Sequence, residues 1–309
     1  MKSIYDLVII GAGPAGITAG IYAARKKLNA LVLSKDFVGQ TGKALLIENY
    51  PGFEQIEGAE LAARLKKHLE KFQIETKEED ANELRKNKDF FEIKTDDSEY
   101  LARSVIIASG AKPKSLGVPG EKEFVGRGIS YCTICDAPFF KAKTVAVAGS
   151  GNSGIEASLE LTKYAKKVYI LEFSSKLKAD EINQEKIKKN NKIEVILSAQ
   201  IREIKGESFV KSIIYQDRND KKLREIFLDG VFIQIGWEPI VSFIKELVNF
   251  NEKNEIEINL LTNETKTPGL FAAGDVTCVP FKQMIIAAGE GAKAALSCYN
   301  YLKNQSLPD

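Results

Sequence analysis

The sequence has a single histidine, His68, set in a Lys/Glu-rich amphipathic stretch that reads as an exposed helix face. No histidine is therefore at hand for proton transfer, and a His-rich metal site is excluded. Net charge is nearly absent, with 44 Lys and Arg against 42 Asp and Glu. The basic excess of a nucleic-acid-binding surface is missing, and lysines are scattered among glutamates, as in KKHLEKFQIETKEED at 66–80. Long apolar runs are missing as well. No stretch approaches the ~18 residues of a membrane-spanning helix, and the opening run YDLVII is short and interrupted by Asp6. A secretory leader pattern is also absent. The expectation is a cytoplasmic, reducing setting, with no membrane and no nucleic-acid partner. Four cysteines among 309 residues are too few for a disulfide scaffold.

What is present is length for two domains, 44% hydrophobic residues to fill their cores, and two glycine signatures. The first, YDLVIIGAGPAGITAGIYAARKK, is an apolar strand running into a helix. Gly11, Gly13 and Gly16 form a G-x-G-x-x-G between them. The first glycine allows a tight turn, the second lets the backbone approach a pyrophosphate, and the third lets the helix pack on the strand. The second signature, KTVAVAGSGNSGIEASLELTKYAKKVYILEF, repeats the arrangement with Gly149, Gly151 and Gly154 around Ser150, Asn152 and Ser153. Glu172 lies 23 residues after Gly149, where an acid accepts hydrogen bonds from an adenosine ribose. Two such turns 138 residues apart imply two dinucleotide sites or a duplicated fold. A third segment, TPGLFAAGDVTCVPFKQMIIAAGEGAKAA, holds a short strand ending in Gly274 and Asp275, then a helix rich in small residues. Asp275 there suits a sugar or ribitol hydroxyl, or simply a helix cap.

Strands are expected near 5–10, 29–34 and 104–109, alternating with helices near 14–27 and 57–72. Residues 80–100 read as an antiparallel excursion, and further strands are expected near 144–148, 193–197, 209–216, 229–235 and 270–273. Gly/Pro-rich links at 113–120 and 236–240 mark two chain crossings. The expected fold class is α/β, with two Rossmann-like, doubly wound domains, the second inserted in the first. Residues 1–114 with 241–309 form one domain, and 115–240 form the other.

Between the two glycine signatures lies YCTICDAPFF, with two residues between Cys132 and Cys135 and Asp136 following. Three readings are open: half a zinc site, buried apolar filler, or a dithiol–disulfide pair. The remaining cysteines, Cys278 and Cys298, are 20 residues apart and form no second close pair for zinc. In a redox pair one thiolate attacks while the other resolves. Asp136 would then supply the proton that larger disulfide reductases take from histidine; its alternative is a helix cap.

Taken together, GAGPAG, GQ…IENYPGF (39–53), ASGAKP, CTICD, GSGNSG and FAAGDV followed by KQ resemble the low-molecular-weight thioredoxin reductase family over essentially the whole chain. LEFSSKLKAD and FKQMIIAAGEGAKAALS are closer to the C-terminal reductase part of the alkyl hydroperoxide reductase flavoprotein. That flavoprotein carries thioredoxin-like domains ahead of this part. With the first glycine at residue 11 there is no room for them here, so the expected partner is a separate thioredoxin- or glutaredoxin-like protein.

The resemblance implies an FAD domain, with Gly11, Gly13, Ala15 and Gly16 at the pyrophosphate and Gly39, Gln40 and Asn49 along the flavin. It places Gly274 and Asp275 at the ribitol, and Lys282, Gln283 and Met284 near the ring. It makes Cys135 the cysteine nearer the flavin and Cys132 the one that attacks the partner, after a rotation of one domain against the other. A homodimer is the family expectation. Three positions depart from the pattern: TGKALL (41–46) replaces a polar, Thr-rich stretch, and Ser150 and Ala137 replace glycines. A modest steric effect is expected of the last two.

NADPH-using relatives carry a His-Arg-Arg type sequence where this chain has Glu172-Phe173-Ser174. A carboxylate there repels a 2′-phosphate, so NADH is expected to be preferred, softened by Lys176 and Lys178 nearby. The expected activity is FAD-dependent reduction of a protein disulfide by NADH. The competing readings are an NADH oxidase or diaphorase, the reductase component of a peroxide-reducing system, and a nucleotide-binding redox sensor.

Overall fold

A computed structural model describes residues 4–44, 47–244 and 246–305. The chain is α/β and divides into two compact units. One comprises residues 4–43, 47–112 and 238–305; the other comprises 113–237 with Ala44.

The first unit is built on the apolar run at the N-terminus. The strand Ile4–Ile10 pairs in parallel with Ala30–Leu33 on one side and Glu99–Ile107 on the other. Glu75–Lys77 extends the sheet beyond Ala30–Leu33, and Leu270–Ala272 pairs with the end of Glu99–Ile107. Side chains alternate along a strand. Leu7 and Ile9 therefore enter one core with Ala15, Ile17 and Phe271, while Val8 and Ile10 enter another with Leu31, Leu33, Val105 and Ile107. Burial on both faces makes these strands continuous apolar runs. The helices Pro14–Arg25 and Met284–Asn304 cover the first face. Their backbones approach so closely that a Cβ on Gly291 would lie 2.0 Å from the Ala15 carbonyl oxygen.

The strand expected at 104–109 is Glu99–Ile107. Its first half pairs antiparallel with Phe91–Lys94, which pairs in turn with Glu83–Lys86. One strand thus serves both the parallel sheet and the antiparallel excursion, and its polar first half hid this from the apolar pattern.

The second unit repeats the plan. Its five parallel strands run in the order Ile193–Ile196, Lys167–Leu171, Thr144–Ala148, Gly230–Ile233 and Ile129–Ser130. A separate antiparallel sheet is formed by Ala199–Gly206, Val210–Asp217 and Leu223–Phe227. Its outer two strands were not anticipated, because AQIREIKG and LREIF are short and interrupted by the charged pairs Arg202-Glu203 and Arg224-Glu225. Phe140 is buried against Phe232, edge to face at 5.0 Å, so it belongs to the core. Its neighbour Phe139 remains exposed.

Phe232 is fully buried. Truncation to alanine should destabilise the second unit by about 3–5 kcal/mol. Urea unfolding should show a lower midpoint with an unchanged slope; a loss under ~1 kcal/mol would mean the core collapses onto the gap.

Candidate active site

Each glycine turn follows the same construction. Gly11 and Gly149 have φ of 109° and 106°, values that disfavour any residue with a Cβ. Their amides donate to Leu33 O and Leu171 O, at the ends of the neighbouring strands. A Cβ on Gly16 would fall 1.8 Å from Gly11 O, and one on Gly154 would fall 2.2 Å from Gly149 O. Gly13 and Gly151, by contrast, face open space. They are the N-caps of Pro14–Arg25 and Asn152–Leu161, and neither helix has a side-chain cap. Free N–H donors at a helix start, beside backbone open to close approach, suit a pyrophosphate.

The two turns differ at the residue after the first glycine. In the first unit the Ala12 amide donates to Ser34 Oγ at 3.2 Å. In the second, the Ser150 amide and hydroxyl donate to Glu172 Oε2 at 3.0 and 2.7 Å. Ser34 and Glu172 are equivalent, each 23 residues after the first glycine, a spacing that makes Ser34 findable from the sequence. The other Glu172 oxygen, Oε1, accepts from the Ser174 amide at 2.8 Å and hydroxyl at 2.7 Å, with Lys178 Nζ at 3.3 Å. Burial alone would raise this carboxyl. The donors from Ser150, Ser174 and Lys178 outweigh it and bring the pKa down to about 2.

Glu172 lines a cavity of 480 Å³ together with Gly149, Gly151, Phe173, Lys178 and Gln234. Arg218 was not singled out from sequence. It donates to Phe173 O, and its guanidinium lies 4.0 Å from the Phe173 ring centroid. Asn152 exchanges hydrogen bonds with Asp180 through both ends of its amide.

In the first unit, Gly39 has a left-handed backbone, φ 54°, and its amide is held by Asp36. Asn49 donates to Gln283 at 3.2 Å, bringing together two candidate flavin residues 234 positions apart. Gln40 is exposed, and Met284 begins the C-terminal helix. Gly274 approaches Ala15 closely enough that its Cβ would touch the Ala15 methyl at 3.0 Å. Burial pushes the Asp275 carboxyl up, and Lys282 opposes this. Lys282 itself is paired with Glu255 at 3.0 Å. The buried Glu290, which the sequence did not single out, supports the turn by accepting from Gly274 N and Thr277 Oγ1. Of the TGKALL departure, Thr41–Lys43 forms a 3₁₀ turn, while Leu45 and Leu46 lie outside the described residues.

Cys132 and Cys135 are joined as a disulfide. Cys132 is the N-cap of the short helix Thr133–Asp136 and Cys135 lies within it, its amide donating to Cys132 Sγ at 3.3 Å. This replaces both the zinc and the filler readings. The segment is anchored from behind: Tyr131 donates to the buried Glu121 at 2.8 Å, and Gln234 donates to Tyr131 O at 3.2 Å. Ile134, between the cysteines, is exposed.

Asp136 makes no capping bond, and its Oδ1 is buried without a partner among the described residues. Burial raises its pKa above the usual carboxylate range, against a downward pull from Ser130. A carboxyl whose pKa is raised by burial, directly after a disulfide cysteine in the chain, is suited to donate a proton to a departing thiolate.

Comparison with known proteins decides the lineage. The profile of the pyridine nucleotide-disulphide oxidoreductases matches residues 5–293. The chain belongs to this family. Among its relatives, an alkyl hydroperoxide reductase of Pseudomonas aeruginosa is 40% identical across 100% of this chain and 60% of its own length. The thioredoxin reductase of Bacillus subtilis is also 40% identical, over 98% of this chain and 96% of its own. The solved thioredoxin reductase of Streptococcus pyogenes superimposes with a TM-score of 0.90 at 36% identity, covering 98% of this chain and 100% of that one. The chain thus spans about 60% of the length of the first curated relatives it matches, and the resemblance read from the motifs is borne out. Family membership implies FAD and a nicotinamide nucleotide, and the two uncapped glycine turns fit such dinucleotides.

The family's thiol chemistry does not extend to Cys298. It is fully buried, its sulfur 2.9 Å from Ser104 Oγ, and burial pushes its pKa up to about 12. His68 is exposed on the helix Gly58–Glu70, as expected.

Because the Asp136 carboxyl holds its proton more tightly when folded than when unfolded, the folded chain binds more protons across that interval. Stability therefore falls as pH rises through it. Asp136→Asn should raise stability at pH 7 by about 1 kcal/mol, and this gain should vanish below the ordinary Asp range. Thermal melts at pH 3.5 and 7 check both; stabilisation that grows on acidification would contradict the assignment.

Proposed function

We propose that the chain passes electrons from NADH, through FAD, to the Cys132–Cys135 disulfide, and from the resulting thiols to a disulfide of a small thioredoxin- or glutaredoxin-like protein. The observation that carries this reading is the disulfide with Asp136 directly after it, its Oδ1 buried without a partner among the described residues. FAD supplies the two electrons that open the disulfide when it is bound. Asp136 delivers a proton to the departing sulfur, and a second proton from solvent completes the dithiol. The Cys132 thiolate then attacks the partner disulfide, and Cys135 closes the mixed disulfide, releasing a reduced partner. Ile134 and the exposed Phe139 give the partner an apolar contact.

In this reading Gly11, Gly13, Ala15 and Gly16 hold the FAD pyrophosphate. Gly39, Gln40, Asn49, Gly274, Asp275, Lys282, Gln283 and Met284 serve the ribitol and flavin. Gly149, Gly151, Asn152, Ser153, Gly154 and Glu172 hold NADH. The cysteine pair and the flavin residues lie in different units, so the relay calls for movement about the links near 113 and 237. A cytoplasmic homodimer completes the proposal.

NADH is favoured because Glu172 stays ionised at neutral pH at the cavity wall. Two unit charges at ~4 Å interact by about 4 kcal/mol at an effective dielectric of ~20. Salt and exposure reduce this several-fold. A second reading is supported by the relatives named as alkyl hydroperoxide reductases: the chain would serve as the reductase component of a peroxide-reducing system.

The preference should appear as a kcat/KM for NADH that exceeds that for NADPH by about 10- to 100-fold; equal values would refute the role of Glu172. Cys135→Ser should abolish NADH-driven reduction of a thioredoxin disulfide while leaving NADH-to-dye reduction largely intact. If no protein disulfide accelerates NADH use by the wild type, the relay is wrong. Acceleration only by a peroxiredoxin-type acceptor would select the second reading.

A further inference from the structure

The Glu172 carboxylate reaches the cavity already saturated. A carboxylate has about four acceptor positions, and five donors from its own chain converge on them: Ser150 N and Oγ, Ser174 N and Oγ, and Lys178 Nζ. A ribose hydroxyl must displace one of these. Lys178 is the donor that yields, because its side chain is 62% exposed and its contact, at 3.3 Å, is the longest of the five. Neither serine is free to yield in this way. Ser150 is fully buried, and each serine is fixed by its own backbone amide as well as its hydroxyl.

Ser150 also holds the segment that carries Lys178. Both its hydroxyl and its carbonyl accept from the Lys178 amide, each at 3.2 Å. The Ser174 hydroxyl also lies 2.7 Å from Lys176 O, and its single proton serves either that carbonyl or Glu172; the other four donors still fill the carboxylate's acceptor positions. At the equivalent post of the first unit, Ala12 has no hydroxyl to offer and the receiving residue is the neutral Ser34. The hydroxyl and the acid thus occur together in the second unit and are both missing from the first.

We infer that Ser150, seconded by Ser174, is a specificity-determining positioning residue: it fixes the Glu172 carboxylate at the cavity wall and turns the Lys178 segment onto it, so that a 2′-phosphate finds an immovable anion. The inference rests on the reading of Glu172 as the residue that selects NADH. It gives the serine that departs from the family glycine a partner, where only a steric effect was expected. Without the Ser150 hydroxyl, Glu172 and the Lys178 segment each lose one of their tethers, so the carboxylate is held less firmly and Lys178 turns more readily towards a phosphate.

The test is calorimetric titration of the flavin-loaded chain with ADP-ribose and with 2′-phospho-ADP-ribose. The readout is the ratio of the two affinities, since general damage to the cavity weakens both ligands alike. Wild type should favour ADP-ribose. Ser150→Ala should shrink that preference by about tenfold, the size of one charge-assisted hydrogen bond. Ser174→Ala should shrink it in the same direction, and provides the test should Ser150→Ala fail to fold. Carboxyl ¹³C resonances give an independent signature: the Glu172 signal, identified by its loss in Glu172→Gln, should titrate at higher pH in Ser150→Ala than in wild type. If Glu172→Gln erases the preference while both serine variants keep the wild-type ratio and titration, the inference falls and the reading of Glu172 stands. If Glu172→Gln also leaves the ratio unchanged, or wild type favours the 2′-phosphate form, both fall.

Discussion

The whole arrangement depends on one close approach made twice, that of a helix backbone to the carbonyl of the preceding glycine turn. At Gly16 and Gly154 there is no space for a single additional carbon. This contact sets each helix at the end of its strand and leaves its first amides free. It therefore fixes where a dinucleotide phosphate fits, and everything downstream is referenced to it. In the first unit the same turn meets the Gly274 turn and the helix Met284–Asn304, so residues far apart in sequence converge. In the second, it brings the residue after Gly149 against the acid at the end of the next strand.

The two units share a framework and part company in how they place charge. The first has a serine at the post where the second has an acid, and its own carboxylates lie elsewhere, at Asp275 and Glu290. In the second unit two carboxyls are held in opposite ways. Glu172 is wrapped in donors and kept ionised, whereas Asp136 has one oxygen buried without a partner among the described residues and its pKa raised by burial. One suits a fixed repulsive wall and the other suits proton delivery. Donors decide the first and burial the second, so surroundings rather than residue type set both.

Much of this was legible in the sequence because the constraints are local. The glycine spacing, the apolar strand before it and the acid 23 residues later all follow from a single turn of chain. The cysteine pair was legible as a dithiol–disulfide pair from its spacing and its place between the glycine turns. What escaped notice depends on pairing between distant segments. The strands Ala199–Gly206 and Leu223–Phe227 are stabilised by Val210–Asp217 between them, and their paired charges mask them. The partners of Ser150, Glu290 and Glu121 are fixed by strand register and helix placement. Adjacent residues also diverged: Phe140 went to the core and Phe139 to the surface, which a run of two aromatics does not foretell.

Cys298, buried against Ser104, has a consequence for electron bookkeeping. A thiol with a pKa near 12 is ionised at pH 7 in only about one molecule in 10⁵. It is therefore a poor nucleophile toward any disulfide the chain forms or meets. A chain with a Cys132–Cys135 disulfide thus keeps the Cys298 sulfur kinetically silent, insulated by the same sheet-and-helix core that positions the first glycine turn. Internal scrambling through it is suppressed without removing the cysteine.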